Sequence, residues 1–145
     1  MNFFKIAALA AVVVSGSVMA SAFPQFPGHG NNSGPDSTLK VYQSGVSNSA
    51  TALQADARDS TVDITQRGIG NGANVGQGAD DSTITLVQDG FGNQAVLSQW
   101  TAEDSTIDVQ QRGGRNGANV TQTASDSSVE LTQVGFNNYA NLNQH

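Results

Sequence analysis

The chain has 145 residues, of which 37% are hydrophobic, 12% charged and 6% aromatic, with a formal net charge of −6. Apolar and charged fractions are both low for a globular domain, and the net charge is too small for disorder by self-repulsion. Cysteine is absent, which excludes a disulfide framework, a thiolate zinc site and a cysteine nucleophile. The acidic balance also argues against nonspecific nucleic-acid binding, which needs a basic footprint. Gly, Ser, Thr, Asn and Gln fill the remainder, a composition for turns and side-chain amide ladders or for low-complexity disorder.

Residues 1–5 are a short start carrying Lys5, residues 6–14 an unbroken apolar run, and small residues follow at Val18-Met19-Ala20 and Ala20-Ser21-Ala22. This is the layout of a secretory signal peptide, and the run is too short for a transmembrane span, which needs about 20 residues. Residues 1–20 are therefore expected to be a signal cleaved after Ala20, with Ala22 the second choice. Loss of Lys5 takes the net charge from −6 to −7. Residues 21–36 hold all three prolines and cannot form a helix or a central strand. They read as a flexible leader, either a spacer or an address for export machinery.

From residue 37 onward one motif is written five times. Ser37, Ser60, Ser82, Ser105 and Ser127 open the copies, which run over 37–59, 60–81, 82–104, 105–126 and 127–145. Six residues after each Ser comes Gln43, Gln66, Gln88, Gln111 or Gln133, and a Gly follows two later. Asn48, Asn71, Asn93, Asn116 and Asn138 come next, then an Ala, then a closing Gln54, Gln77, Gln99, Gln122 or Gln144. Within a copy the parity is strict: Ser60, Val62, Ile64 and Gln66 alternate with Thr61, Asp63 and Thr65, the signature of a strand with one face in and one out. Asn71, Ala73, Val75 and Gln77 repeat that pattern in the second half. Each copy is thus expected to be a seven-residue strand, a four-residue turn, a second seven-residue strand and a turn of four or five.

The two apolar faces of one copy must interdigitate, so the backbone partner of each strand is the equivalent strand of the next copy. The expected fold is all-β: a β-solenoid of five stacked strand–turn–strand repeats of 22–23 residues, cross-β on assembly. Inward Gln and Asn columns would satisfy one another as ladders in the core. Soluble solenoids carry polar caps. Here the fifth copy keeps the motif to Gln144 with only His145 beyond, so the ends are expected to pair with other copies in an unbranched fibre.

The pattern S-x5-Q-x-G-x2-N-x-A-x3-Q in five copies, behind a leader and a signal peptide, resembles the curlin family, the subunits of extracellular curli amyloid fibres. The last repeat is regular and carries Glu130 with no Lys or Arg, closer to the family's major subunits than to its minor, nucleating ones. The resemblance implies unfolded export through an outer-membrane pore with periplasmic chaperones, and nucleation by a minor subunit at the cell surface. It also implies secretion into a surface-attached fibre, a biofilm matrix and adhesion to host matrix proteins. Carried over by motif position, the residues most responsive to nucleation would be Gln43, Asn48, Gln133 and Asn138.

Outward positions carry a second layer. Asp36, Asp59, Asp81, Asp104 and Asp126 precede the opening serines and read either as turn residues or as an acidic column that brakes premature assembly until acid or divalent cations release it. Arg67, Asp89 and Arg112 alternate in sign, and Tyr42, Trp100 and Tyr139 read as exposed turn or face residues. A monomeric binding solenoid such as an ice-binding protein is the rival, on the outward column Thr38, Thr61, Thr83, Thr106 and Ser128. Enzyme motifs are lacking: Gly68–Ala73 imitates a dinucleotide loop only loosely, with no following helix. No cofactor, metal or catalytic residue is expected.

Overall fold

The computed structural model describes residues 9–13, 17–20, 37–55 and 58–145. The strands are β1 (Leu9–Val13), β2 (Ser17–Ala20), β3 (Thr38–Val46), β4 (Ser49–Gln54), β5 (Thr61–Ile69), β6 (Gly72–Gly78), β7 (Thr83–Phe91), β8 (Gln94–Trp100), β9 (Thr106–Gly114), β10 (Gly117–Gln122), β11 (Ser128–Phe136) and β12 (Tyr139–Gln144). Odd strands form one sheet in the order β1-β3-β5-β7-β9-β11, and even strands form the other, β2-β4-β6-β8-β10-β12. Each repeat gives one strand to each sheet, so β3–β4, β5–β6, β7–β8, β9–β10 and β11–β12 are five rungs of a solenoid. All pairing is parallel and in register, Gln66 on Gln88 and Gln77 on Gln99 for instance. Neighbouring rungs therefore place like on like.

Alternation explains the burial. Val62, Ile64, Ile84, Leu86, Ile107 and Val109 from one sheet meet Val75, Leu97 and Val120 from the other, all at 0–1% exposure. In the fifth rung Leu131 and Leu142 are only partly buried, because no rung covers them.

The strand bounds differ from the sequence expectation. The first strand of each rung has nine residues rather than seven and runs through the glycine into the corner. Because the bonding partner is the equivalent residue of the next rung, the corner does not interrupt the ladder: Gly70 N donates to Val46 O and Gly92 N to Ile69 O, each at 2.9 Å. The glycine is required there. Gly68 has φ 111°, and a Cβ on it would lie 1.9 Å from the carbonyl oxygen of Gly90. At the opposite corner Asp59, Asp81, Asp104 and Asp126 adopt φ between 48° and 52°, a left-handed conformation that Asp and Asn tolerate better than other residues with a Cβ.

Ahead of the first rung, β1 pairs with β3, and β2 with β4. Residues 9–13 and 17–20, within the segment expected to be a removable signal, thus lie along the first edge of the stack. The expected leader, 21–36, and with it Asp36, lies outside the described residues.

Candidate functional site: the amide columns and the two end rungs

Interior polar groups are the chemistry of this molecule. Strand parity turns Gln43, Gln66, Gln88, Gln111 and Gln133 inward, each at 0–6% exposure. Nε2 of Gln66 donates to Oε1 of Gln88 at 2.7 Å, Gln88 to Gln111 at 2.8 Å and Gln111 to Gln133 at 2.8 Å, and Gln43 donates likewise to Gln66. The second hydrogen of each amide crosses to the other sheet: Gln66 donates to Ser49 O, Gln88 to Gly72 O, Gln111 to Gln94 O and Gln133 to Gly117 O, all at 3.0 Å. A carbonyl acceptor on that side fixes which end of the amide is nitrogen. All the donors in this column therefore point toward the C-terminal end of the stack.

The closing glutamines form a second column with the same direction. Gln54 donates to Gln77 at 2.9 Å, Gln77 to Gln99 at 3.0 Å, Gln99 to Gln122 at 2.8 Å and Gln122 to Gln144 at 3.1 Å. The asparagines run the other way. The amide groups of Asn71, Asn93 and Asn116 each donate to Oδ1 of the preceding rung's Asn at 3.0–3.2 Å, and so do their backbone N–H groups. At Asn138 the backbone N–H donates to Asn116 at 3.1 Å. Each Asn also clamps its corner, as Asn71 does on Arg67 O and Gly90 O. Buried amides left unpaired would each cost about 1–3 kcal/mol; here they are paired rung to rung.

The opening serines form a further column, whose role was not read from the sequence although their identity in all five copies was the available signal. Ser60 and Ser82 accept from the backbone N–H of the next rung's Ser at 3.2 Å, and Ser105 at 3.3 Å. Their hydroxyls bond carbonyls at the Asp corner, such as Ala79 O and Ala102 O, both at 2.6 Å.

The columns stop at two edges. Gln43 and Asn48 lie in the first rung, Gln133 and Asn138 in the last. At the first edge Gln43 Oε1 is buried and has no hydrogen-bond partner. The register puts Val13 opposite Gln43. At the last edge Gln133 accepts from Gln111 and donates one amide hydrogen to Gly117 O, while its second amide hydrogen faces away from the stack. Ala20 ends β2, opposite Ala52. Asp59, Asp81, Asp104 and Asp126 are exposed at the second corner. Among the described residues there is no group of three His, Cys, Asp or Glu able to hold a metal ion, and no helix long and apolar enough to cross a membrane.

Five in-register rungs with unbroken parallel ladders and interior amide columns define a cross-β repeat solenoid. The profile of the curlin associated repeat matches residues 34–68, 57–90 and 102–135, more than half of the chain, and the chain belongs to the curlin repeat family. It is 58% identical over 86 residues to the major curlin subunits of Salmonella typhimurium and Salmonella typhi, and 56% identical to that of Escherichia coli K12. These matches cover 55% of this chain and 57% of each relative, so the chain spans only about half the length of the curated relatives it matches.

Proposed function

We propose that this chain is a structural subunit of an extracellular curli-type amyloid fibre, polymerised end to end at the cell surface for adhesion and biofilm matrix. The observation that carries the reading is the truncated glutamine column: Gln43 Oε1 is buried without a donor at one edge, while the same column ends on an amide nitrogen, Gln133, at the other. A second copy stacked with its fifth rung on this first rung would bring Gln133 Nε2 to Gln43 Oε1 and continue every ladder. That contact joins unlike faces, and unlike-face contacts generate open filaments. Residues 9–13 and 17–20 pair along the same edge, so cleavage after Ala20 would clear it for growth.

The major rather than the minor subunit is favoured by the fifth repeat, which keeps the motif and carries Glu130 with no Lys or Arg. Export as an unfolded chain through an outer-membrane pore with periplasmic chaperones, nucleation by a minor subunit and contact with host matrix proteins follow from the same reading. Its test is a time course on residues 21–145 diluted from denaturant. The expected results are a lag, a coil-to-β change in circular dichroism, growth on added seeds, and fibre reflections near 4.7 and about 10 Å. A monodisperse β-monomer that ignores seeds would overturn it.

A further inference from the structure

Every repeat turns its first corner on an asparagine, but only two of these are followed by glycine, Asn71-Gly72 and Asn116-Gly117. The same register position holds Ser49, Gln94 and Tyr139 in the other rungs. The fold does not ask for glycine there. Neither Gly72 nor Gly117 is in the left-handed region, and a Cβ on Gly72 would meet nothing nearer than Gln94 Cγ at 3.9 Å. On Gly117 it would lie 3.0 Å from Cδ2 of Tyr139, an exposed ring with room to turn aside. What glycine changes is the chemistry of the residue before it. With no side chain in the way, a glycine nitrogen reaches the side-chain carbonyl carbon of a preceding Asn more readily than that of any other residue. The N–Cγ bond forms, the Cγ–Nδ2 bond breaks, and ammonia leaves with the proton of the glycine nitrogen. Water then opens the cyclic imide at either carbonyl, giving Asp or isoaspartate.

We propose that Asn71 and Asn116 are deamidation sites that time the unassembled chain: a chain that stays unfolded loses its capacity to stack, and stacking stops the reaction. The consequence for growth rests on the assembly reading above. In the folded rungs both reacting groups are occupied. Gly72 N donates to Asn93 O at 2.8 Å and Gly117 N to Asn138 O at 2.7 Å, so each attacking nitrogen is committed to a ladder. The target amides are committed as well. Asn71 Nδ2 donates to Asn48 Oδ1, Arg67 O and Gly90 O at 2.9–3.2 Å, and its Oδ1 accepts from the backbone and side chain of Asn93 at 3.1 Å. Asn116 Nδ2 donates likewise to Asn93 Oδ1, Arg112 O and Gly135 O at 3.0–3.2 Å. Both asparagines are 1% exposed, which keeps out the water that the second step needs. The product does not fit back into the stack. Aspartate at 71 has no hydrogen for any of those three acceptors and brings a charge into a buried column. Isoaspartate lengthens the backbone by one carbon and puts the strand out of step with its neighbours.

The test keeps residues 21–145 unfolded in guanidinium at mildly alkaline pH, beside seeded fibres of the same chain at the same pH without denaturant. Peptide mapping by mass spectrometry reads Asp and isoaspartate at each asparagine. Asn71 and Asn116 are expected to convert at least about tenfold faster in the unfolded chain than in fibres, where conversion must wait for local opening. In the unfolded chain they should also outpace Asn48, Asn93 and Asn138. Growth of the aged chains on fresh seeds should fall in step with conversion. In Gly72→Ser/Gly117→Ser, conversion in denaturant is expected to slow at least about fivefold, a rate read on unfolded chains and so measurable even if this variant forms no fibres. Fresh Asn71→Asp/Asn116→Asp chains should fail to extend parent seeds. Equal conversion in fibres and in unfolded chains would overturn the inference. So would aged chains, or the Asp variant, that grow like fresh parent. Fresh parent chains that ignore seeds would instead sink the assembly reading, and with it the consequence proposed here.

Discussion

The two sides of each strand obey opposite rules. Inward, the rungs are near copies: Gln66, Gln88 and Gln111 stack on one another and Ile64, Leu86 and Val109 follow the same column. Outward, Lys40, Asp63, Thr85, Asp108 and Glu130 share a column with no common chemistry. Inward sameness lets any rung end be completed by another and gives every buried amide a partner one rung away. Outward, the residues of successive rungs differ and leave most of their side chains to solvent. Substitutions should therefore be felt strongly on one side of a strand and weakly on the other.

The sharpest break in that contrast is expected at the glycine corner. Gly90 has φ 122°, and a Cβ on it would lie 1.9 Å from Gly113 O. Gly90→Val should cost more than about 4 kcal/mol, from strained backbone and a clash that the neighbouring backbone cannot relieve, and should abolish the β signal in circular dichroism. Thr85→Val, outward in the same strand, should change stability by no more than about 0.5 kcal/mol. Gln88→Leu comes next. It removes the acceptor of Gln66, the donor to Gln111 and the donor to Gly72 O, and unpaired buried groups cost about 1–3 kcal/mol each. Seeded fibres of Gln88→Leu should dissociate at much lower denaturant than the parent. Ile84→Ala should cost about 2–4 kcal/mol, less than Gln88→Leu. The reverse order in the same denaturant series would mean that apolar burial, not the amide column, dominates the interior.

What the sequence made legible follows from this division. Repetition and parity are inward properties, and from them the rungs, the parallel stacking and the face of each strand could be read in advance. The nine-residue strands could not, because a turn is recognised by its Gly and Asn, and nothing in Ser44-Gly45-Val46 says that a turn can keep bonding to the rung beneath. The direction of the Gln columns was equally hidden. It is set by the carbonyls of Ser49, Gly72, Gln94 and Gly117 across the sheet, a relation between sheets that spacing does not encode. The Trp100 ring against Gly78 escaped for a different reason. Aligning repeats draws the eye to what recurs, and this pair occurs once.

The mildest prediction concerns the second corner, where inward and outward roles meet in one residue. Asp81 and Asp104 are exposed, with φ 51° each, so the backbone role calls for Asp, Asn or Gly. Their charges lie one rung apart, and two unit charges about 5 Å apart in water repel by roughly 0.8 kcal/mol. Asp81→Asn/Asp104→Asn keeps the left-handed backbone and removes the repulsion, which separates the two roles. If the column brakes assembly, the variant should grow on seeds about fourfold faster at low ionic strength, the factor that 0.8 kcal/mol supplies. The advantage should vanish near 1 M salt, where the screening length falls to about 3 Å. Equal growth at low salt would leave the aspartates as corner residues alone, chosen for the left-handed backbone and not for their charge.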